Sequence, residues 1–225
     1  MDKDLFNPAH LLRHLGRLSD FIFAIAMGLT IMDFDPSKAK SLPNDEVTEF
    51  LMAQIEPLTV FAITFLVLAF YWIDHAKRFI YFKKTNDIHL WLYLLYLMSI
   101  FVVPYSNAMS IEYPDNTLVK IWFSINIFLI GLFSCLSWFY ATHRHQLIES
   151  DLDVSVTRSS SIQSLIEPTV ALISIPLTLL NQDLWEWSWL LVPVFYVAVE
   201  KGLQKLPAAK ELPASQTPAR QGGES

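Results

Sequence analysis

Residues 121–141, IWFSINIFLIGLFSCLSWFYA, are 21 in number and carry no charge. As a helix this stretch is about 31 Å long, which matches the hydrocarbon thickness of a bilayer. A helix that is apolar on every side belongs in a large core or in lipid. Five more runs share its character: about 18–32, 51–73 broken only by Glu56, 88–111 without acid, Lys or Arg, 162–180 with Glu167 near its start, and 184–199 with Glu186 near one end. Only 17% of the residues are charged, against about 25% in soluble domains, and the charges cluster between the runs. The expected fold is all-α, with six transmembrane helices and the lipid bilayer as its surroundings. A signal peptide does not explain the first run, because no small-residue cleavage site follows it and further apolar runs do. Cys135 stands alone inside 121–141, so it forms no intrachain disulfide and is read as packing.

Lys and Arg set the expected orientation. Thirteen of the sixteen fall in the N-terminus, the 74–87 and 142–161 loops and the C-terminal stretch, whereas only Lys38, Lys40 and Lys120 fall on the other side. The positive-inside rule then puts both termini in the cytoplasm. The outer loops hold nine acids against those three lysines, a field that concentrates cations if a mouth lies there. WEWSW at 185–189 reads as an interfacial tryptophan belt, and Pro104, Pro168, Pro176 and Pro193 read as kinks. From 201 to 225 the composition turns polar and rich in Pro, Ala and Gly, so a disordered cytoplasmic tail is expected after a six-helix transmembrane unit at 1–200. No long internal repeat is evident.

The first run needs separate treatment, since only twelve uncharged residues separate Asp20 from Asp33. FNPAHLL resolves this: Asn7 can cap a helix whose first residue is Pro8. A helix over 8–32 is about 37 Å long, enough to cross. Arg13 and Arg17 are i,i+4 neighbours, and Arg17 and Asp20 i,i+3 neighbours, so Asp20 can pair within its own helix. An ionisable group at that depth faces protein or water rather than lipid, which makes Ser19 and Asp20 candidates for a polar anchor. Trp72 and His75, at the end of the second run, lie on the same side and are the candidate partners. Ile22, Ile25, Leu29 and Met32 recur on one helical face. Ala24, Gly28 and Ile31 form a smaller adjacent face, suited to close packing within one subunit.

Leu18-Ser19-Asp20 followed by Phe23-Ala24-Ile25-Ala26 resembles the opening helix of the transmembrane-protein-175 family of endosomal and lysosomal potassium channels. That family's hallmark is Arg-x-x-x-Phe-Ser-Asp before an FAIA stretch. Residues 70–110, FYWIDHAKRFIYFKKTNDIHLWLYLLYLMSIFVVPYSNAMS, are similar to its Trp-x-x-His end of helix two, basic loop and third helix, through Tyr71, Trp72, His75, Trp91 and Pro104. The chain departs from the pattern with His14 in place of Arg, Leu18 in place of Phe, and Gly28 where many members carry Thr. The resemblance implies a homotetramer in a prokaryotic cytoplasmic (cell) membrane, with helix one of each copy lining a central pore. It also implies monovalent cations, K⁺ first, as the permeant species, with no cofactor and no nucleic acid. An apolar ring near Ile25, extended by Ile22, Leu29 and Met32, is then the expected constriction, gating by dewetting. Arg13, Arg17, Ser19, Asp20, Trp72 and His75 are the expected inner polar anchor. No TVGYG-like carbonyl filter is present, so modest K⁺ selectivity is expected.

Two other classes compete with the channel. Six histidines, including His10, His14, His75 and His89, raise a membrane di-iron enzyme, but no HxxHH cluster exists and no catalytic metal site is expected. A proton-coupled transporter or proton channel relying on Glu56 and Glu167 is the stronger rival, since intramembrane carboxylates relay protons. Both glutamates lie near the ends of their runs and can instead reach the headgroups.

Overall fold

The computed structural model describes residues 7–31, 43, 46–143, 147–149, 152 and 154–204. Their regular structure is helical: α1 Pro8–Leu29, α2 Val47–Ala53, α3 Ile55–Phe79, α4 Asp87–Glu112, α5 Thr117–Thr142, α6 Val154–Leu180, α7 Gln182–Ser188 and α8 Leu191–Gln204. The one β-type pairing among them is an isolated antiparallel bridge between Phe82 and Ile148. Asparagine starts four of the helices. Asn7 accepts from Ala9 N at 3.1 Å, Asn86 from His89 N at 3.0 Å, Asn116 from Leu118 N at 3.0 Å and Asn181 from Asp183 N at 2.8 Å. Each satisfies an orphan N–H of the first turn. With Pro8 as the first residue of α1, that helix begins where FNPAHLL places it.

Among the described residues four helical stretches are long and apolar enough to cross a membrane: Val47–Phe79, Asp87–Glu112, Thr117–Thr142 and Ser155–Leu180. The last run departs from expectation. Residues 184–199 do not form one continuous helix but are divided between α7 and α8 at Trp189 and Leu190. Pro193 has no N–H to give the Trp189 carbonyl, and Val192 N takes that carbonyl instead, at 3.2 Å. Helix α8 continues to Gln204, past the boundary expected at 201, and 205–225 lie outside the described residues.

The core is the seam between α4, α5 and α6, with α1 laid against α4 and α3. In lipid there is no hydrophobic gain from bringing apolar helices together, so close packing and interhelical hydrogen bonds hold them. Asn126 of α5 does this with both ends of its amide, accepting from Ser106 Oγ at 2.9 Å and donating to the Ser99 carbonyl at 3.0 Å on α4. Ser174 of α6 donates to Ser124 Oγ of α5 at 2.8 Å. Gly131 lets α5 and α6 meet: a Cβ there would stand 2.5 Å from Pro168 Cδ and 2.8 Å from its backbone nitrogen. Pro168 is thus part of a helix contact. Gly131→Ala is expected to lower stability by about 1–3 kcal/mol, read as the unfolding midpoint of the purified protein. An unchanged midpoint would mean that the two helices slide apart freely.

The bundle has two distinct ends. At one, Lys83 N donates to the Leu147 carbonyl at 2.9 Å and Thr85 N to the Pro8 carbonyl at 3.3 Å, so the start of α1 and the α3–α4 and α5–α6 connections meet there. At the other, Lys120 Nζ reaches Glu186 Oε1 at 3.2 Å and lies 4.9 Å above the Trp185 ring. Lys120 is only 2% exposed and is therefore not a free surface charge. The tryptophan belt needs the same correction. Trp187 is exposed, but Trp185 is buried and donates to Ser124 Oγ at 2.8 Å, and Trp189 packs edge-on against Phe123.

Candidate functional site

Helix α1 carries the candidate residues, and its two sides differ. Leu12, Leu15, Ser19, Phe23 and Ala26 are buried, followed by Thr30 just past the helix end. Their three- and four-residue spacing forms the stripe that meets α4 and α3. Opposite it, His14, Arg17, Phe21, Ala24, Gly28 and Ile31 are all exposed, and a Cβ on Gly28 would meet nothing within 4 Å. Ala24 and Gly28 therefore do not serve close packing inside the subunit, contrary to the simplest reading of their spacing. Ile22, Ile25 and Leu29 lie between the two stripes and are half-buried. Met32 lies outside the described residues, as do Asp33, Asp35 and Asp45.

Of the six anchor candidates, Asp20 and Trp72 are in direct contact. Trp72 Nε1 donates to Asp20 Oδ1 at 3.0 Å, joining α3 to α1. Ser19, fully buried, donates to its own helix at the Leu15 carbonyl, 2.8 Å away. His75 is buried next to them, hydrogen-bonded through Nδ1 to the Tyr93 hydroxyl of α4, with its ring 5.5 Å from that of Phe23. One turn below, Gly16 lies against the Phe79 ring, where a Cβ would come to 3.0 Å, so α1 and α3 approach closely. Arg13 and Arg17 stand apart. Both are exposed, and among the described residues neither forms an ion pair; Asp20 turns to Trp72 rather than to Arg17. Trp72→Phe is expected to cost about 1 kcal/mol by removing the one hydrogen bond between these helices at this level. A double cycle with Asp20→Asn in thermal unfolding measures it, and additivity of the two changes would argue that the bond carries nothing.

Other polar groups inside the bundle are not evident from the sequence. Arg78, counted there as part of a basic loop, lies in the last turn of α3, 8% exposed, paired with Asp74 and donating to Ser134 Oγ at 3.0 Å. Helical spacing of Asp74 and Arg78 was the available signal. Near the far end of α1, a cleft of about 390 Å³ is lined by Leu29 and Thr30, with Thr64 and Asn107, which are hydrogen-bonded to each other. Asn107, a lone amide in the apolar run 88–111, was the clue. Glu167 does not reach toward headgroups. It is 6% exposed and accepts from the Tyr196 hydroxyl at 3.2 Å. The Glu56 side chain is outside the described set. Among the described residues no three His, Cys, Asp or Glu side chains converge to hold a metal.

Among the described residues, an all-helical bundle with four helices long and apolar enough to cross a bilayer has the make-up of an integral membrane protein. The family model described as "Endosomal/lysosomal potassium channel TMEM175" matches residues 14–104, which take in α1 from His14 onward, α2, α3 and most of α4. A potassium channel of Streptomyces collinus is 29% identical over 173 residues, 72% of this chain and 82% of that protein. The human endosomal/lysosomal proton channel TMEM175 is 28% identical over 102 residues, 45% of this chain but only 20% of its own length. A crystallised variant of the potassium channel MtTMEM175, in complex with a nanobody–MBP fusion, shares the fold with a TM-score of 0.61 at 19% identity, over 84% of this chain and 90% of that one. Over residues 14–104 the chain is thus similar to the TMEM175 family of ion channels, and it shares its fold with MtTMEM175.

Proposed function

We propose that this protein is a potassium-permeable cation channel in which copies of α1, one from each of four identical subunits, surround a central aqueous axis. The observation that carries the reading is the make-up of α1. It holds Arg13, His14, Arg17 and Asp20 within three turns, is not among the helices apolar enough to cross lipid by itself, and leaves one whole side uncovered. A helix of that composition at membrane depth faces water or protein. Ile22, Ile25, Leu29 and Met32 form the pinch, which opens and closes to ions by wetting and dewetting. Ala24 and Gly28, on the adjoining stripe, let neighbouring copies approach closely. Asp20, Ser19, Trp72 and His75 tie the inner part of α1 to α3 and α4, while Arg13 and Arg17 face the inner entrance. The remaining assignments follow the same reading. The unit at 1–200 crosses the cytoplasmic membrane six times, with α7 and α8 together as the last passage and both termini inside. No cofactor takes part.

Cysteine accessibility tests this directly, because the single native thiol, Cys135, is buried. In a Cys135→Ser background, Ile25→Cys is expected to lose its K⁺ current on treatment with a water-soluble methanethiosulfonate reagent. Leu136→Cys, on an exposed part of α5, is expected to keep it. Full current after modification of a demonstrably labelled Ile25→Cys would remove α1 from the axis.

A further inference from the structure

A second cleft of about 390 Å³ lies between α3 and α8, on a side of the bundle that α1 does not line. Its walls are apolar, with Ile63, Leu66 and Phe70 from α3 and Val192 from α8, and Trp189 stands at its edge. The exception is Glu167 of α6, which borders the same cleft and is more than nine-tenths buried. Tyr196 donates to its Oε1 at 3.2 Å and is itself held by the edge of Phe70, ring centroids 5.6 Å apart. Among the described residues no cation lies within ion-pair distance of Glu167, since the nearby Arg78 is taken by Asp74, and the hydrogen bond from Tyr196 reaches only Oε1. A carboxylate taken out of water without a counter-charge is unfavourable, and here the space beside it is open to an outside molecule.

We propose that this cleft binds an amphipathic organic ammonium, with its cationic head on Glu167 Oε2 and its hydrocarbon body along Ile63, Leu66 and Val192. Three features fit that occupant. The volume falls within the range of about 300–1,000 Å³ typical of small-molecule sites. The walls match an alkyl body, and the Phe70 and Trp189 rings line the same cleft as Glu167. A lipid acyl chain would match the walls but leave the carboxylate without a counter-charge. The site is independent of the pore reading, because binding and not current reports on it.

The test uses the full chain in phosphatidylcholine nanodiscs titrated with decylamine or with n-decanol, its neutral counterpart, and empty nanodiscs as the baseline. Decylamine is expected to bind saturably and raise the unfolding temperature, with n-decanol at least about tenfold weaker for want of a charge-assisted contact. Glu167→Gln is expected to bring decylamine down to the decanol level. Leu66→Trp, which fills the cleft from the exposed side of α3 and keeps Glu167, is expected to abolish both, and it decides the matter if Glu167→Gln does not fold. Equal binding of decylamine and decanol would assign the cleft to acyl chains. Saturable decylamine binding that survives Leu66→Trp, or no saturable binding at all, would likewise overturn the proposal.

Discussion

Ile25→Asn is expected to raise single-channel K⁺ conductance about tenfold, equivalent to lowering the barrier at the pinch by about 1.4 kcal/mol, and to bring K⁺ and Na⁺ permeability closer together. An apolar ring resists ions because water leaves it when it is narrow, and a partly dehydrated cation has nothing there to replace its shell. An amide gives water and ion a hydrogen-bonding surface at that level. Ile25→Ala widens the ring without making it polar, so a smaller gain is expected. Folding should tolerate both changes, since Ile25 is half-buried and the core-facing stripe of α1 is Leu12, Leu15, Ser19, Phe23 and Ala26. Planar-bilayer recordings check the result. Conductance and selectivity unchanged in both variants would mean that the narrowest level lies elsewhere.

The largest expected effect on stability belongs to a residue far from that ring. Arg78→Met is expected to cost about 3 kcal/mol, the lower part of the range for breaking a buried ion pair. The arginine and Asp74 side chains retain 10% and 21% of their accessibility, and the partial exposure of Asp74 softens the penalty. Most of the cost comes from leaving that carboxylate in the bundle without its cation, with Ser134 Oγ losing its donor as well. The double change Asp74→Leu with Arg78→Met should recover most of the loss, because replacing both charges removes the desolvation problem rather than exposing it. Unfolding of all three variants in one detergent closes the cycle. A double variant as unstable as the single one would show that packing around Arg78, and not the pair, carries the energy.

Local rules account for much of the architecture, although of the four caps only Asn7 is read from the sequence above. Asn7, Asn86, Asn116 and Asn181 begin helices because an amide oxygen can satisfy a first-turn N–H wherever the chain turns out of extended backbone. The contact of Trp72 with Asp20 was also within reach, since both residues end runs on the same side. Limits arose where several elements meet. Arg78 and Lys120 look like loop charges in one dimension, yet each is held by a partner, Asp74 on its own helix and Glu186 across the bundle. Trp185 looks like a belt residue and is an interior hydrogen-bond donor.

From its order of residues alone this protein was committed to long apolar helices, to their starting points and to a first helix too polar for lipid on every side. Periodicity and capping act within a few residues, so they need no knowledge of the rest of the chain. Only the folded arrangement decided which stripe of α1 is covered, that Ala24 and Gly28 are left open, and that Glu167 meets Tyr196 inside the bundle instead of reaching outward. Those outcomes depend on which helices become neighbours, and a side chain's burial or pairing is a property of the space between elements that no single segment contains.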